Sequence, residues 1–146
     1  WALGHRAGRD VLPMVLAQLV GACCGTVLAN LMFDLPAIGL STTERSGGNL
    51  WLAEVVATVG LLLVVFSLMR TARTSQLPYA VGAYVGGAYY FTSSTGFANP
   101  AVTVARTLSD TFTGIDPTNA PMFVLVQVLG AGIAVLLLRV LFPTTK

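Results

Sequence analysis

Long stretches of this sequence carry no Asp, Glu, Lys or Arg. Val11 to Phe33 runs for 23 residues without one, and Leu50 to Met69 gives 20 residues with Glu54 as the single charge. Thirty-two uncharged residues separate Arg73 from Arg106, and 22 separate Asp116 from Arg139. A helix that crosses a bilayer needs about 20 mostly apolar residues. Each stretch is long enough, so the pattern predicts four spans. Composition agrees: 55% of the 146 residues are hydrophobic and 10% are charged. Mean hydropathy is +0.77. Eight basic and six acidic side chains cannot clothe the surface of a soluble domain this size. A disordered chain, a nucleic-acid-binding domain and an ordinary cytosolic enzyme are thereby excluded. A net charge of +2 is too small to recruit a polyanion.

The third stretch is too long for one helix and divides by composition. Leu77 to Phe91 is apolar and rich in Gly and Tyr, and reads as helix. Thr92-Ser93-Ser94-Thr95-Gly96-Phe97-Ala98-Asn99-Pro100 follows, uncharged but full of helix breakers. Proline disfavours helical backbone at the residue before it, so the helix stops here. Asn then Pro is also a helix start, with Asn as N-cap and Pro at the first position. A short helix is expected from Pro100 to about Ser109, too short to cross a bilayer. Irregular backbone at membrane depth is tolerated only where protein or water surrounds it.

Charge placement fits such a re-entrant element. With the first span starting inside, Arg6, Arg9, Arg70, Arg73, Arg139 and Lys146 lie inside, and Arg45 and Arg106 outside. Asp34 to Gly48 reads as an outer loop, and Asp116 to Pro121 as a turn into the last span. The pairs Gly21/Gly25 and Gly82/Gly86 predict close helix–helix contact. Tyr79, Tyr84, Tyr89 and Tyr90 read as core and interface residues.

A short motif recurs. Ala17-Gln18-Leu19-Val20-Gly21-Ala22 parallels Val126-Gln127-Val128-Leu129-Gly130-Ala131. Asn99 precedes Gln127 by 28 positions, and the same spacing back from Gln18 falls about ten residues before Trp1. A second Asn-Pro is expected there, upstream of the chain's opening. An odd number of spans between the two copies would make the repeats inverted.

Asn99 is the sharpest functional candidate. As N-cap its side-chain oxygen accepts a helix N–H, which leaves the amide NH₂ to donate elsewhere. Donors at the positive end of a helix favour the oxygen of a neutral molecule and oppose cations. Glu54 is the one ionisable residue deep in a span. The available partners for it are backbone N–H groups of the Thr92–Ala98 loop, so it is expected to brace that loop. Gln18 and Gln127 are expected to act alike. Vicinal Cys23 and Cys24 read as small packing residues, and His5 is the only histidine. No metal, cofactor or nucleophile–base pair is implied.

Asn99-Pro100-Ala101 after a Thr/Gly-rich loop, Glu54 early in a span and Gln18 opening another resemble the aquaporin, or major intrinsic protein, family. The resemblance covers the whole chain, as the last four spans and second half-helix of a six-span fold. It implies an all-α membrane bundle, forming one channel domain over 1–146. Spans would lie at about 11–33, 50–69, 76–94 and 121–142, with a re-entrant loop and half-helix at about 95–109. It implies a homotetramer in a cell membrane, here a bacterial inner membrane, passing water or small uncharged solutes. It makes Asn99, Pro100 and Ala101 the second signature tripeptide, Thr95, Gly96, Phe97 and Ala98 carbonyl-lining residues, and Glu54 the loop support.

One departure shapes the expected solute. The family usually has Arg directly after the tripeptide, at the outer constriction; here that place is Val102. Arg106 follows one turn later, about 6 Å along the helix, and cannot simply substitute. The matching filter position on the preceding span is Gly87, or Ala88 with a one-residue gap; water-selective members place His there and glycerol-conducting members Gly. A wider, less polar neck follows. The expected solutes are glycerol, urea or neutral metalloid acids such as arsenous acid, plus water. The alternatives are a water-selective channel, a proton-coupled transporter using Glu54, and a non-conducting truncated module.

Overall fold

The computed structural model describes residues 8–143. Arg6 and Lys146 of the orientation argument, His5, and the opening at Trp1 lie outside them. The described residues are helical, with helices α1 (Val11–Met32), α2 (Gly48–Arg70), α3 (Leu77–Phe91), α4 (Pro100–Arg106) and α5 (Ala120–Leu141). Short 3-10 turns at Gly8–Asp10 and Thr74–Gln76 precede α1 and α3. The helices α1, with its leading turn, α2 and α5 are long and apolar enough to cross a membrane. Helix α3 has 15 residues, fewer than the expected 76–94 span, because Thr92 turns extended at φ −105°, ψ 141°. Helix α4 ends at Arg106, short of the expected Ser109.

The chain divides into two compact units. The first comprises residues up to Ser46 with Asn99–Val124, and the second Gly47–Ala98 with the chain from Leu125 onward, so the boundary falls inside α5.

In the first unit α1 packs against α4. The residues α4 buries are Ala101, Thr103 and Ala105. Their small size lets a helix backbone approach closely. Most of α1 is exposed, including Leu12, Leu16, Val20 and Leu28. A helix that is apolar all round and uncovered by its own chain is suited to lipid or to other helices.

In the second unit α2 packs against α3. The close approaches fall at glycines other than those expected. A Cβ on Gly130 of α5 would sit 3.1 Å from Thr58 Cβ and 3.1 Å from the Val55 carbonyl oxygen of α2. A Cβ on Gly60 would meet the Tyr84 hydroxyl. Gly21, Gly25, Gly82 and Gly86 have nothing within 4 Å of a would-be Cβ, so the described residues make no such contact there. Spacing of four marks a smooth stripe but not which stripe the chain itself covers. Tyr84 donates to the Ala57 carbonyl at 3.1 Å. Tyr79 and Tyr90 are 81% and 86% exposed, so neither is core.

Candidate functional site

The centre of the second unit is a carboxylate with four donors. Glu54 is fully buried on α2. Its Oε1 accepts from Ser94 Oγ at 2.6 Å and from the Phe97 N–H at 2.9 Å. Its Oε2 accepts from the Ala98 N–H at 2.9 Å and from Gln127 Nε2 at 2.6 Å. Two donors per oxygen satisfy the charge that burial would otherwise penalise. Ser94 Oγ in turn accepts from the Gly96 N–H at 3.3 Å.

These bonds hold a loop that would not hold itself. Thr95, Gly96 and Ala98 have φ of 66°, 58° and 49°. Left-handed backbone is unusual for a β-branched residue such as Thr95 and persists only where the surroundings impose it. A trans peptide sets its N–H and C=O on opposite sides. Drawing the Phe97 and Ala98 N–H groups onto Glu54 therefore turns the carbonyls of Gly96 and Phe97 away from it. Gly96 also lies against α3: a Cβ there would be 2.9 Å from Ala88 Cβ. Ala88 is 1% exposed and faces the loop, whereas Gly87 is half-buried.

The first unit carries the half-helix. Asn99 is its N-cap, in extended backbone at φ −156°, ψ 120°, with Pro100 in the first turn. Asn99 Oδ1 accepts from the Ala101 N–H at 2.8 Å. Its carbonyl accepts from the Thr103 N–H at 3.0 Å and from Thr103 Oγ1 at 3.1 Å. Among the described residues nothing accepts from Asn99 Nδ2. Val102 is half-buried, an aliphatic side chain within the first turn.

The two glutamines of the repeat have unlike surroundings. Gln127 is 1% exposed and bonded to Glu54. Gln18 is exposed on α1, and its side chain makes no hydrogen bond among the described residues. In the sequence Arg45 stood out only as an outer charge, and Asn30 gave no signal. Arg45 is 6% exposed and donates from Nε to the Gly114 carbonyl at 2.7 Å and from Nη2 to Phe112 at 2.8 Å. Asn30, 4% exposed, ties the end of α1 to Ala37, Leu108 and Ser109. Among the described residues no three His, Cys, Asp or Glu side chains converge as a metal site would require.

A profile of the major intrinsic protein family matches residues 76–146. The aquaglyceroporin AqpS of Rhizobium meliloti (strain 1021) is 46% identical over 143 residues, 98% of this chain and 61% of that protein. The aquaporin AqpM of Methanothermobacter thermautotrophicus is 31% identical over 149 residues, 93% of this chain and 61% of that protein. The chain thus spans about three fifths of the length of these relatives. No solved structure matches it significantly. The profile covers α3 to α5 and the AqpS alignment runs through nearly the whole chain, α1 and α2 included; the chain belongs to the major intrinsic protein family.

Proposed function

We propose that the protein is a passive membrane channel for small neutral solutes: glycerol, urea or neutral metalloid acids such as arsenous acid, together with water. The observation that carries the reading is the half-helix start, where Asn99 Oδ1 is taken by the Ala101 N–H and its amide NH₂ is left to donate to a solute; the family resemblance puts Val102 where a cation usually stands. An amide donor binds a hydroxyl or carbonyl oxygen without selecting for charge, and an aliphatic neighbour leaves room for a carbon skeleton. The relative AqpS bears the name aquaglyceroporin, which supports the same solute class.

In this reading α3 completes a fourth span, and residues 95–106 enter and leave on one side of the membrane. Pro100 and Ala101 form the tight first turn that presents Asn99. The carbonyls of Thr95, Gly96, Phe97 and Ala98 offer acceptors to the solute, and Glu54 and Gln127 hold their loop. Gly87 is the small filter residue on α3, since Ala88 is occupied against Gly96. The family's homotetramer and a bacterial inner membrane are part of the proposal. Opposition to cations comes from the donor-rich half-helix start.

The proton-coupled alternative needs Glu54 to take up a proton. Three of its four partners, the Phe97 and Ala98 N–H groups and the Gln127 amide, can only donate, a set that suits a carboxylate held in place. That favours a brace. Osmotic swelling of vesicles containing the full-length protein tests the solute class. Entry of glycerol and urea is expected; entry of water with both excluded would overturn it in favour of a water-selective channel.

A further inference from the structure

Helix α4 is held at its exit as firmly as at its start. A helix leaves its last carbonyls without internal donors. Here Ile115 N–H donates to Arg106 at 3.3 Å, Ser41 N–H to Thr107 at 3.0 Å, and Gly39 N–H to Leu108 at 3.1 Å. Leu108 also accepts from Asn30 Nδ2 at 3.1 Å. The second Nδ2 proton goes to the Ala37 carbonyl at 3.3 Å, and Asn30 Oδ1 accepts from Ser109 Oγ at 2.7 Å. One buried amide thus joins the last turn of α1, the 34–47 connector and the exit of α4.

The two helices are unequal partners. A seven-residue helix is too short to be stable alone and takes its position from what it touches. Helix α1 has 22 residues. Over about 10 Å a single helix is stiff, so a displacement at Leu108 is carried to Asn99 nearly undiminished.

We infer that Asn30 is a positioning residue for Asn99, setting where the half-helix sits along its own axis and thereby which solutes pass. The inference rests on the channel reading above. It adds a residue that touches no solute and lies at the opposite end of α4 from the donor it positions. The two Nδ2 bonds do the positioning, because they reach separate segments. The bond from Ser109 also joins the α4 exit to α1, but its loss leaves the bonds to Leu108 and Ala37 in place.

The test is solute selectivity in vesicles carrying full-length protein, with glycerol and water permeabilities measured on the same preparation. Asn30→Asp keeps the shape and the acceptor for Ser109 but turns oxygens toward two carbonyls. It is expected to shift the glycerol-to-water ratio by about tenfold, equivalent to ~1.4 kcal/mol in relative barrier height. Ser109→Ala keeps both donors and is expected to leave the ratio unchanged. Asn30→Gln keeps the donors on a longer stem and is expected to shift the ratio less, in the same direction. If Asn30→Asp does not insert, Asn30→Gln decides. A wild-type ratio in the deciding variant, or an equal shift in Ser109→Ala, would overturn the inference while leaving the channel intact. Wild-type vesicles that pass neither glycerol nor water would overturn the channel reading and this inference with it.

Discussion

Gln127 donates to Glu54 across 73 residues of sequence at 2.6 Å, and both side chains are buried. The pair ties α5 to α2, and Glu54 passes the constraint on to the loop. Removing one partner of a buried hydrogen bond leaves the other desolvated and unsatisfied, at about 1–3 kcal/mol. Gln127→Ala is expected to cost that much in detergent-solubilised unfolding. Glu54→Ala strands four donors at once and is expected to cost more than about 4 kcal/mol, beyond an ordinary point mutation. Equal losses for the two variants would contradict the central place given to Glu54.

Gly96 is fixed by two separable effects. Its φ of +58° is disfavoured for any L side chain, and a Cβ would press on Ala88. Gly96→Ala is expected to destabilise by about 1–3 kcal/mol through the backbone alone, with the clash added. Ala88→Gly in the same chain should recover the clash and not the backbone part. A double-mutant cycle on thermal unfolding checks this, with a coupling of about 0.5–3 kcal/mol expected between the sites.

Arg45 holds two carbonyls with a planar fork that an ammonium cannot reproduce. Arg45→Lys is therefore expected to cost about 1.5–3 kcal/mol despite keeping the charge. Protease sensitivity at residues 112–114 should rise in parallel. Wild-type resistance there would mean that the fork is dispensable.

Asp116 starts the turn into α5, accepting from the Thr118 hydroxyl at 2.6 Å and the Thr118 N–H at 2.7 Å. Those bonds hold its carboxyl below the ordinary value of 3.8, the hydroxyl contributing most. A lowered folded value means that the stabilisation is full above 3.8 and is lost as pH falls through the lowered value. Hydrogen exchange at the Thr118 amide should accelerate relative to neighbouring amides only in that acid range. Asp116→Asn should abolish the pH dependence.

Much of the architecture could be read from where charge is missing. The runs that became α1, α2 and α5 are legible because water-exposed helices of that length need charged faces. The start of α4 was legible too, since Asn99 and Pro100 satisfy and pre-form a first turn by local chemistry. Its end was not. Thr107 and Leu108 look as helical as their neighbours, and their carbonyls are taken by Ser41 and Gly39 of a connector far earlier in the chain. The hydrogen bonds of Asn30 and Arg45 escaped notice for the same reason. Their acceptors are backbone carbonyls of distant segments, which leave no pattern in side-chain identity. The Gln repeat marks two positions with unlike surroundings in this chain: Gln127 lies on Glu54, and Gln18 is exposed.

Conduction driven by the solute gradient alone is the centre of this account, and a flux measurement under controlled pH gradients tests it most directly. Vesicles carrying the full-length protein should equilibrate labelled glycerol at one rate whether the pH gradient is inward, outward or collapsed. Accumulation above the external concentration, or a rate that follows the pH gradient and vanishes in Glu54→Gln, would contradict it.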